Sequence, residues 1–421
     1  MEIIIIGAGA AGLMCANQCL KSKNNHITIL EKNEKAGKKI YITGKGRCNV
    51  TNYVEPNEFL DYVITNKKFL YSSIFNFTPK DTMNFFEENN ISLKVERGNR
   101  VFPSSDKSSD IIKGLLNSLN TSNIKIKYNE NVIEVKKEND KFIVITNNSI
   151  YKSDVLVIAT GGVSYPSTGS TGNGYKFAKS FSHKVTKLYP ALCSILTNYK
   201  DISKYAGVSL KNVNVKICDN NNKILHENFG ELLFTHSGFS GPVVLTLSSL
   251  INKLPNLSLY NLIIDLKPAL SNEMLDNRIL RDFNENKNKA IKNALNKLLI
   301  SSMIDLVLCF AKINPNKNIN EITVGERQRL VATIKNLTFN IKSLDDIKNG
   351  IITSGGIDVN DINAKTMESK ICKNLFFIGE IIDVDAKTGG FNLQIAFSTA
   401  VSAGNAILMI CQIKCNMKNK D

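Results

Sequence analysis

The sequence predicts an α/β protein whose parallel sheet begins at the N-terminus and is completed only near the C-terminus. Three observations predict it. The apolar run at residues 3–6 leads directly into Gly7-Ala8-Gly9-Ala10-Ala11-Gly12, and a second apolar run at residues 27–30 ends on Glu31. Asp154-Val155-Leu156-Val157-Ile158-Ala159-Thr160-Gly161-Gly162 reads as a buried parallel strand entering a tight glycine turn. Asn374-Leu375-Phe376-Phe377-Ile378-Gly379-Glu380 repeats that design before Asp383, so the chain leaves the sheet and returns to it.

The first element carries the clearest chemistry. Gly7 allows the strand-to-helix turn, Gly9 lets a pyrophosphate approach the backbone, and Gly12 lets helix and strand pack together. The free N–H groups at the start of a helix over residues 10–20, including Ala10 and Ala11, then hold the phosphates. A carboxylate at Glu31, roughly 20 residues on, suits a free ribose diol and repels a 2′-phosphate. The ligand is therefore FAD or NAD rather than NADP. Thr160, Gly161 and Gly162 on one later strand, with Gly379, Glu380 and Asp383 on the other, place an acidic residue toward the ribityl and phosphate end of FAD, which weighs FAD above NAD. Lys39 and Val132 complete this group of cofactor-binding candidates.

The remaining elements follow in order. After βαβ and a glycine-rich loop over residues 37–52 come helical patterns at 57–77 and 79–89, and a strand pair near 93–102. A helix at 108–119 and strands at 124–127, 132–137, 142–146 and 155–159 follow. Short alternating strands then suggest a β-rich insert over 188–270. Apolar residues at helical spacing (Ile291, Leu295, Leu298, Leu299, Ile304, Val307, Leu308) suggest a helical insert over 271–350. At Ile351 the chain re-enters the first domain, and a last helix spans 393–410. The cofactor domain is expected to be discontinuous, residues 1–187 and 351–421.

Composition bounds the class. At 421 residues and 43% hydrophobic, the chain can bury a substantial core. No uninterrupted apolar run reaches the ~20 residues that span a bilayer, and the first strand starts at Ile3, so a cytoplasmic protein with no membrane partner is expected. Nine cysteines form no CxxC pair; Cys15/Cys19 and Cys411/Cys415 are helix-spaced, and reduced thiols are expected. Four histidines without a ligand-spaced cluster argue against a metal site. The net charge of +15 reads either as a Lys-rich compositional bias filling solvated faces or as a field that draws polyanions such as RNA.

Four motifs extend the reading. Gly44-Lys45-Gly46-Arg47-Cys48-Asn49-Val50-Thr51-Asn52, the stretch from Ala159 through Tyr165-Pro166-Ser167-Thr168-Gly169-Ser170-Thr171-Gly172, Leu233-Phe234-Thr235-His236-Ser237-Gly238-Phe239-Ser240-Gly241-Pro242, and Thr388-Gly389-Gly390-Phe391-Asn392-Leu393-Gln394 occur in this order. They resemble the signatures of the BaiN/RdsA family of FAD-dependent oxidoreductases, which also includes YhiN-like and aminoacetone-oxidase-like proteins. The resemblance covers residues 3 to about 406. It implies a two-dinucleotide-binding-domain, Rossmann-like flavoprotein with an inserted β-barrel-like domain and a small helical domain. With the basic charge, it favours reduction of a uridine in 23S ribosomal RNA to dihydrouridine.

Beside a flavin, the motif residues acquire roles. Gly44 and Gly46 permit an irregular backbone, and Arg47, Cys48 and Asn49 can offer N–H groups and a fixed positive charge where reduction creates an anion. Gly389, Gly390, Asn392 and Leu393 open a helix whose N-terminus suits the reduced ring. Cys48 is either the proton donor to an enone-like ring such as uracil or a packed thiol. His236 either donates a proton or makes a structural hydrogen bond. No second glycine fingerprint appears, so NAD(P)H, if it is the reductant, docks transiently in the substrate cleft. Two other readings stay open: a small-molecule flavoenzyme, either enone reductase or amine oxidase, and a non-catalytic FAD-holding RNA-binding protein. Oligomeric state is left unassigned. If RNA is the substrate, Arg278, Arg281, Lys287, Lys289, Lys292 and Lys297 of the helical insert are the expected phosphate contacts.

Overall fold

Runs of Ile, Val, Leu and Phe form the inner strands of a five-stranded parallel sheet, whose edge strand alternates isoleucine with exposed lysine. Its order is Leu375–Phe377, Val155–Ile158, Glu2–Ile6, His26–Leu30 and Ile124–Lys127. The first strand is central: Ile3 faces Val155 on one side and Ile27 on the other. The late strand pairs beyond Val155–Ile158, with Leu156 opposite Leu375. In this computed structural model, which describes residues 1–418, the chain divides into two units. One comprises Met1–Ala191 with Ile347–Asp421, the other Leu192–Asp346.

In the first unit the helix Ala10–Cys19 lies on the sheet so closely that a methyl group on Gly12 would come within 1.9 Å of the Gly7 carbonyl oxygen. The last helix, Phe391–Lys418, is longer than the pattern predicts and packs against Ala10–Cys19, where Gly404 leaves room for Gln18. By length and composition it could cross a membrane, but 67% of its most apolar window is buried inside the protein. Buried Gln394, Ser398 and Thr399 interrupt its apolar residues, and their side chains are hydrogen-bonded within the helix, which suits a core helix satisfying its polar groups. An antiparallel sheet of Val132–Glu138, Lys141–Thr146 and Ile150–Ser153 forms the crossover.

The second unit is a closed barrel of six strands with helices inserted between two of them. The strand order is Ile195–Thr197, Gly238–Ser240, Ile224–Phe234, Ser209–Asp219, Tyr260–Asp265 and Leu337–Leu344. The last of these corrects the sequence expectation, which placed residues 337–344 within the helical insert over 271–350. Leu337, Phe339 and Ile341 are buried while Thr338, Asn340 and Lys342 are exposed, a period of two that follows a helix ending at Lys335 without a glycine or proline to mark the change. Helical spacing over 57–77 also conceals a strand, Val63–Thr65, which pairs with Asp385–Ala386.

Gly12→Ala is expected to cost about 2–3 kcal/mol, because the added methyl meets backbone that cannot rotate away. A melting temperature equal to wild type in calorimetry would contradict this packing.

Candidate functional site

The site begins where the strands of the first unit end. Gly7 N donates to Leu30 O at 2.9 Å, setting the two strand ends side by side. Glu31 then accepts from Ala8 N at 2.9 Å, and from Asn33 N and its side chain at 2.9 and 2.6 Å, which fixes the carboxylate at the strand tip. Gly9 precedes the helix with no side-chain cap, leaving the first helical N–H groups without side-chain partners. A methyl group on Gly9 would meet nothing within 4 Å, whereas one on Gly7 or Gly12 would strike backbone. This open cradle above uncapped N–H groups fits a pyrophosphate, and thus FAD.

The two later turns converge on a second cluster. Lys39 Nζ donates to Glu380 Oε2 at 2.7 Å and to Ser164 Oγ at 2.6 Å. Ser164 Oγ and Thr353 N donate to Glu380 Oε1 at 3.0 and 2.9 Å, and a methyl on Gly162 would lie 2.3 Å from Thr353 Oγ1. Glu380 therefore ties the late strand to the turn after Val155–Ile158. Sequence reasoning missed Thr353 and Ser164, although Ser164 lies within a quoted motif. It also missed Tyr175, whose ring is buried and whose hydroxyl has no partner among the described residues. Burial and the neighbouring Glu380 and Asp383 push that phenol well up. Thr160 Oγ1 and Asn49 Oδ1 are likewise buried without partners among the described residues. Each offers a hydrogen bond to a bound group, which agrees with the cofactor fit.

The Gly44–Asn49 loop is held by its arginine. Arg47, expected to offer a fixed positive charge beside the flavin, has its guanidinium paired with Glu96 at 2.5 Å and Asp106 at 2.6 Å and lying over the Phe102 ring at 4.2 Å. These contacts pin a loop in which Gly44, Lys45, Gly46 and Cys48 all have left-handed backbone. Cys48 is fully buried, and burial pushes its thiol up to about 12 against a smaller downward pull from Thr43. Of its two readings, the packed thiol is the one this burial matches.

At the opposite end, Gly390 has φ +97° and a methyl on it would lie 2.4 Å from Thr51 O. Asn52 Nδ2 donates to Gly389 O at 3.0 Å. The Asn392 side chain bonds the Ala386 backbone in both directions, accepting at 3.0 Å and donating at 2.8 Å. Gln394 accepts from the Thr51 and Thr82 hydroxyls and donates to Phe77 O and Ser398. Asn392 is thus a structural tie, beside half-buried Leu393. Val132 is buried at the start of its crossover strand, and Gly161 and Gly379 both take positive φ in their turns. His236 belongs to the second unit, exposed in the turn where Thr235 N donates to Gly238 O at 2.8 Å. Among the described residues no group of three or more His, Cys, Asp or Glu side chains could hold a metal ion.

Comparison with known proteins places this arrangement. A family model described as "HI0933-like protein Rossmann domain" matches residues 1–406. The chain is 30% identical over 411 residues to a ribosomal RNA dihydrouridine synthase of Escherichia coli (strain K12), covering 95% of this chain and 96% of that one. It is 28% identical over 415 residues to a 3-dehydro-bile acid delta(4,6)-reductase of Clostridium scindens, covering 96% and 98%. Among solved structures, 3-ketosteroid delta1-dehydrogenase from Sterolibacterium denitrificans shares the fold at 11% identity and a TM-score of 0.50, over 96% of this chain and 98% of that one.

Two variants separate cradle from scaffold. Gly9→Val should fold with a near-normal melting temperature yet be purified without flavin absorbance, because its side chain enters space that protein does not fill. Gly390→Val should lose stability itself, since Thr51 occupies the space its side chain needs. Native Cys48 should resist iodoacetamide at pH 8 and react after denaturation, as read by peptide mass spectrometry; rapid native labelling would contradict its burial.

Proposed function

We propose, for a chain that belongs to the HI0933-like Rossmann family of FAD-dependent oxidoreductases, that its substrate is a uridine of 23S ribosomal RNA and its product dihydrouridine. The observation that carries this reading is end-to-end similarity at 30% identity to two ribosomal RNA dihydrouridine synthases. The conversion adds two electrons and two protons across one ring double bond; FAD, when bound and reduced by NAD(P)H, would supply both electrons and one of the protons as a hydride equivalent. The chain's own residues bind and orient. Uncapped N–H groups after Gly9 hold the pyrophosphate, Glu31 takes the ribose diol, and Asn49 and Thr160 offer hydrogen bonds within the site. NAD(P)H is the proposed reductant, docking transiently because no second glycine fingerprint exists. With the Cys48 thiol buried, a solvent-derived proton competes with it as the second proton.

The small-molecule reading is favoured by one observation, the bile-acid reductase that matches over nearly its whole length. Deleting the gene and measuring dihydrouridine in 23S RNA by mass spectrometry decides between them. Loss of the modification, restored by the wild-type gene, is expected; an unchanged level would leave the small-molecule reductase.

The helical insert offers a separate check. Arg278 and Lys297 are ion-paired with Asp282 and Glu285, while Arg281, Lys287, Lys289 and Lys292 are exposed. Replacing Lys287, Lys289 and Lys292 by Gln should flatten the log–log salt dependence of RNA binding by about 0.7–0.9 per lost phosphate contact. NAD(P)H oxidation without RNA should not change. An unaltered salt slope would make these lysines a solvated face.

A further inference from the structure

We infer that Tyr71 and Phe75 form a stacking platform for unpaired bases of a single-stranded RNA segment, an inference that rests on the RNA reading above. The two rings stack on each other in water, with centroids 4.5 Å apart and planes 20° apart, on side chains 54% and 39% exposed. They share the outer face of the helix Tyr71–Asn76, whose inner face buries Ser73 and Ile74. An exposed aromatic pair leaves considerable apolar area in contact with water and is uncommon without a partner.

Its surroundings favour nucleic acid. Lys67 and Lys68 are exposed immediately before the helix, Lys67 pairing with Asp61 at 2.5 Å, and the exposed neighbours Asn66 and Asn76 are polar. An aromatic stack bordered by cations and amides suits bases joined by phosphates, because every base has a π-face and every linkage a negative charge. A protein partner would need a broader apolar core than two rings supply, inside a polar rim.

The platform is also fastened to the segment that leads into the last helix. The strand Val63–Thr65 pairs with Asp385–Ala386, and Asn66 Nδ2 donates to Asp383 O at 2.7 Å. Beyond the helix, Phe77 O accepts from Gln394 at 3.0 Å and from Ser398 at 2.7 Å. Both ends of the segment bearing the aromatic pair are thus held by residues 383–398, which also carry Gly389 and Gly390. Bases stacked here would be held in fixed register to that segment.

The test uses the flavin-loaded protein and a fluorescent single-stranded oligouridine. The double variant Tyr71→Leu with Phe75→Leu keeps apolar bulk and helix propensity but removes both π-faces. It should bind the oligomer about tenfold or more weakly, with flavin content and NAD(P)H oxidation unchanged. Tyr71→Phe should bind like wild type. Wild-type affinity in the double-leucine variant would overturn the platform, and so would reduced self-association in ultracentrifugation with RNA binding intact, which would mark an interface between copies. The gene deletion tests the RNA reading separately, so wild-type affinity in the double-leucine variant, with dihydrouridine lost from the deletion strain, would overturn this inference alone.

Discussion

Three chain turns meet at the carboxyl edge of one parallel sheet, and only bare backbone fits between them. A methyl on Gly7 would lie 2.6 Å from the Ala159 carbonyl oxygen, one on Gly12 would lie 1.9 Å from that of Gly7, and one on Gly379 would lie 2.9 Å from Ala11 Cβ. Segments from the start, middle and end of the chain therefore lock together. Because strands in such sheets deliver their ligands outside their carboxyl ends, this contact also decides where the cradle opens. Gly9, flanked by these crowded glycines, is the fingerprint glycine that faces open space.

Electrostatics at the site follow from the same convergence. The two cations named as candidates at this site are already matched, Lys39 by Glu380 and Arg47 by Glu96 and Asp106. The Arg47 pairs are partly exposed, and such contacts are individually worth little; joined with stacking on Phe102 they hold a loop of left-handed residues in place. Positive potential for an anion then comes chiefly from backbone dipoles at helix starts, which need no counter-ion and cannot move away. That division of labour explains how a strained loop and a rigid glycine cradle occur in one unit.

Much of this was legible in sequence because it is local. The fingerprint, Glu31 and the two later strands are contiguous patterns, and the return of the chain to the sheet follows from their likeness. What could not be read depends on distant partners. Leu337–Leu344 is a strand because it closes a barrel, and Val63–Thr65 because Asp385–Ala386 lies beside it. Thr353 reaches Glu380 from 27 residues away, and nothing near it in sequence signals that bond. Cys48 sits in a polar, glycine-rich stretch yet is fully buried, since the loop's left-handed backbone turns the thiol inward. Polarity of neighbours in sequence is a poor guide to burial where φ is positive.

The cradle identifies a cofactor class, not a substrate, because the same sheet and glycine turns can serve many chemistries. Substrate choice must arise from parts the cradle does not fix. In the first unit, residues 63–77 and 383–392 lie outside the central sheet and are joined to each other by a short strand pair and by the Asn66 bond to Asp383. The attachment is firm enough to hold register and peripheral enough to change without disturbing the cofactor. Relatives named for an RNA substrate and for a bile acid can therefore share one scaffold. In this chain residues 63–77 display stacked aromatics beside exposed lysines, the chemistry on which the proposed contact with bases and phosphates rests.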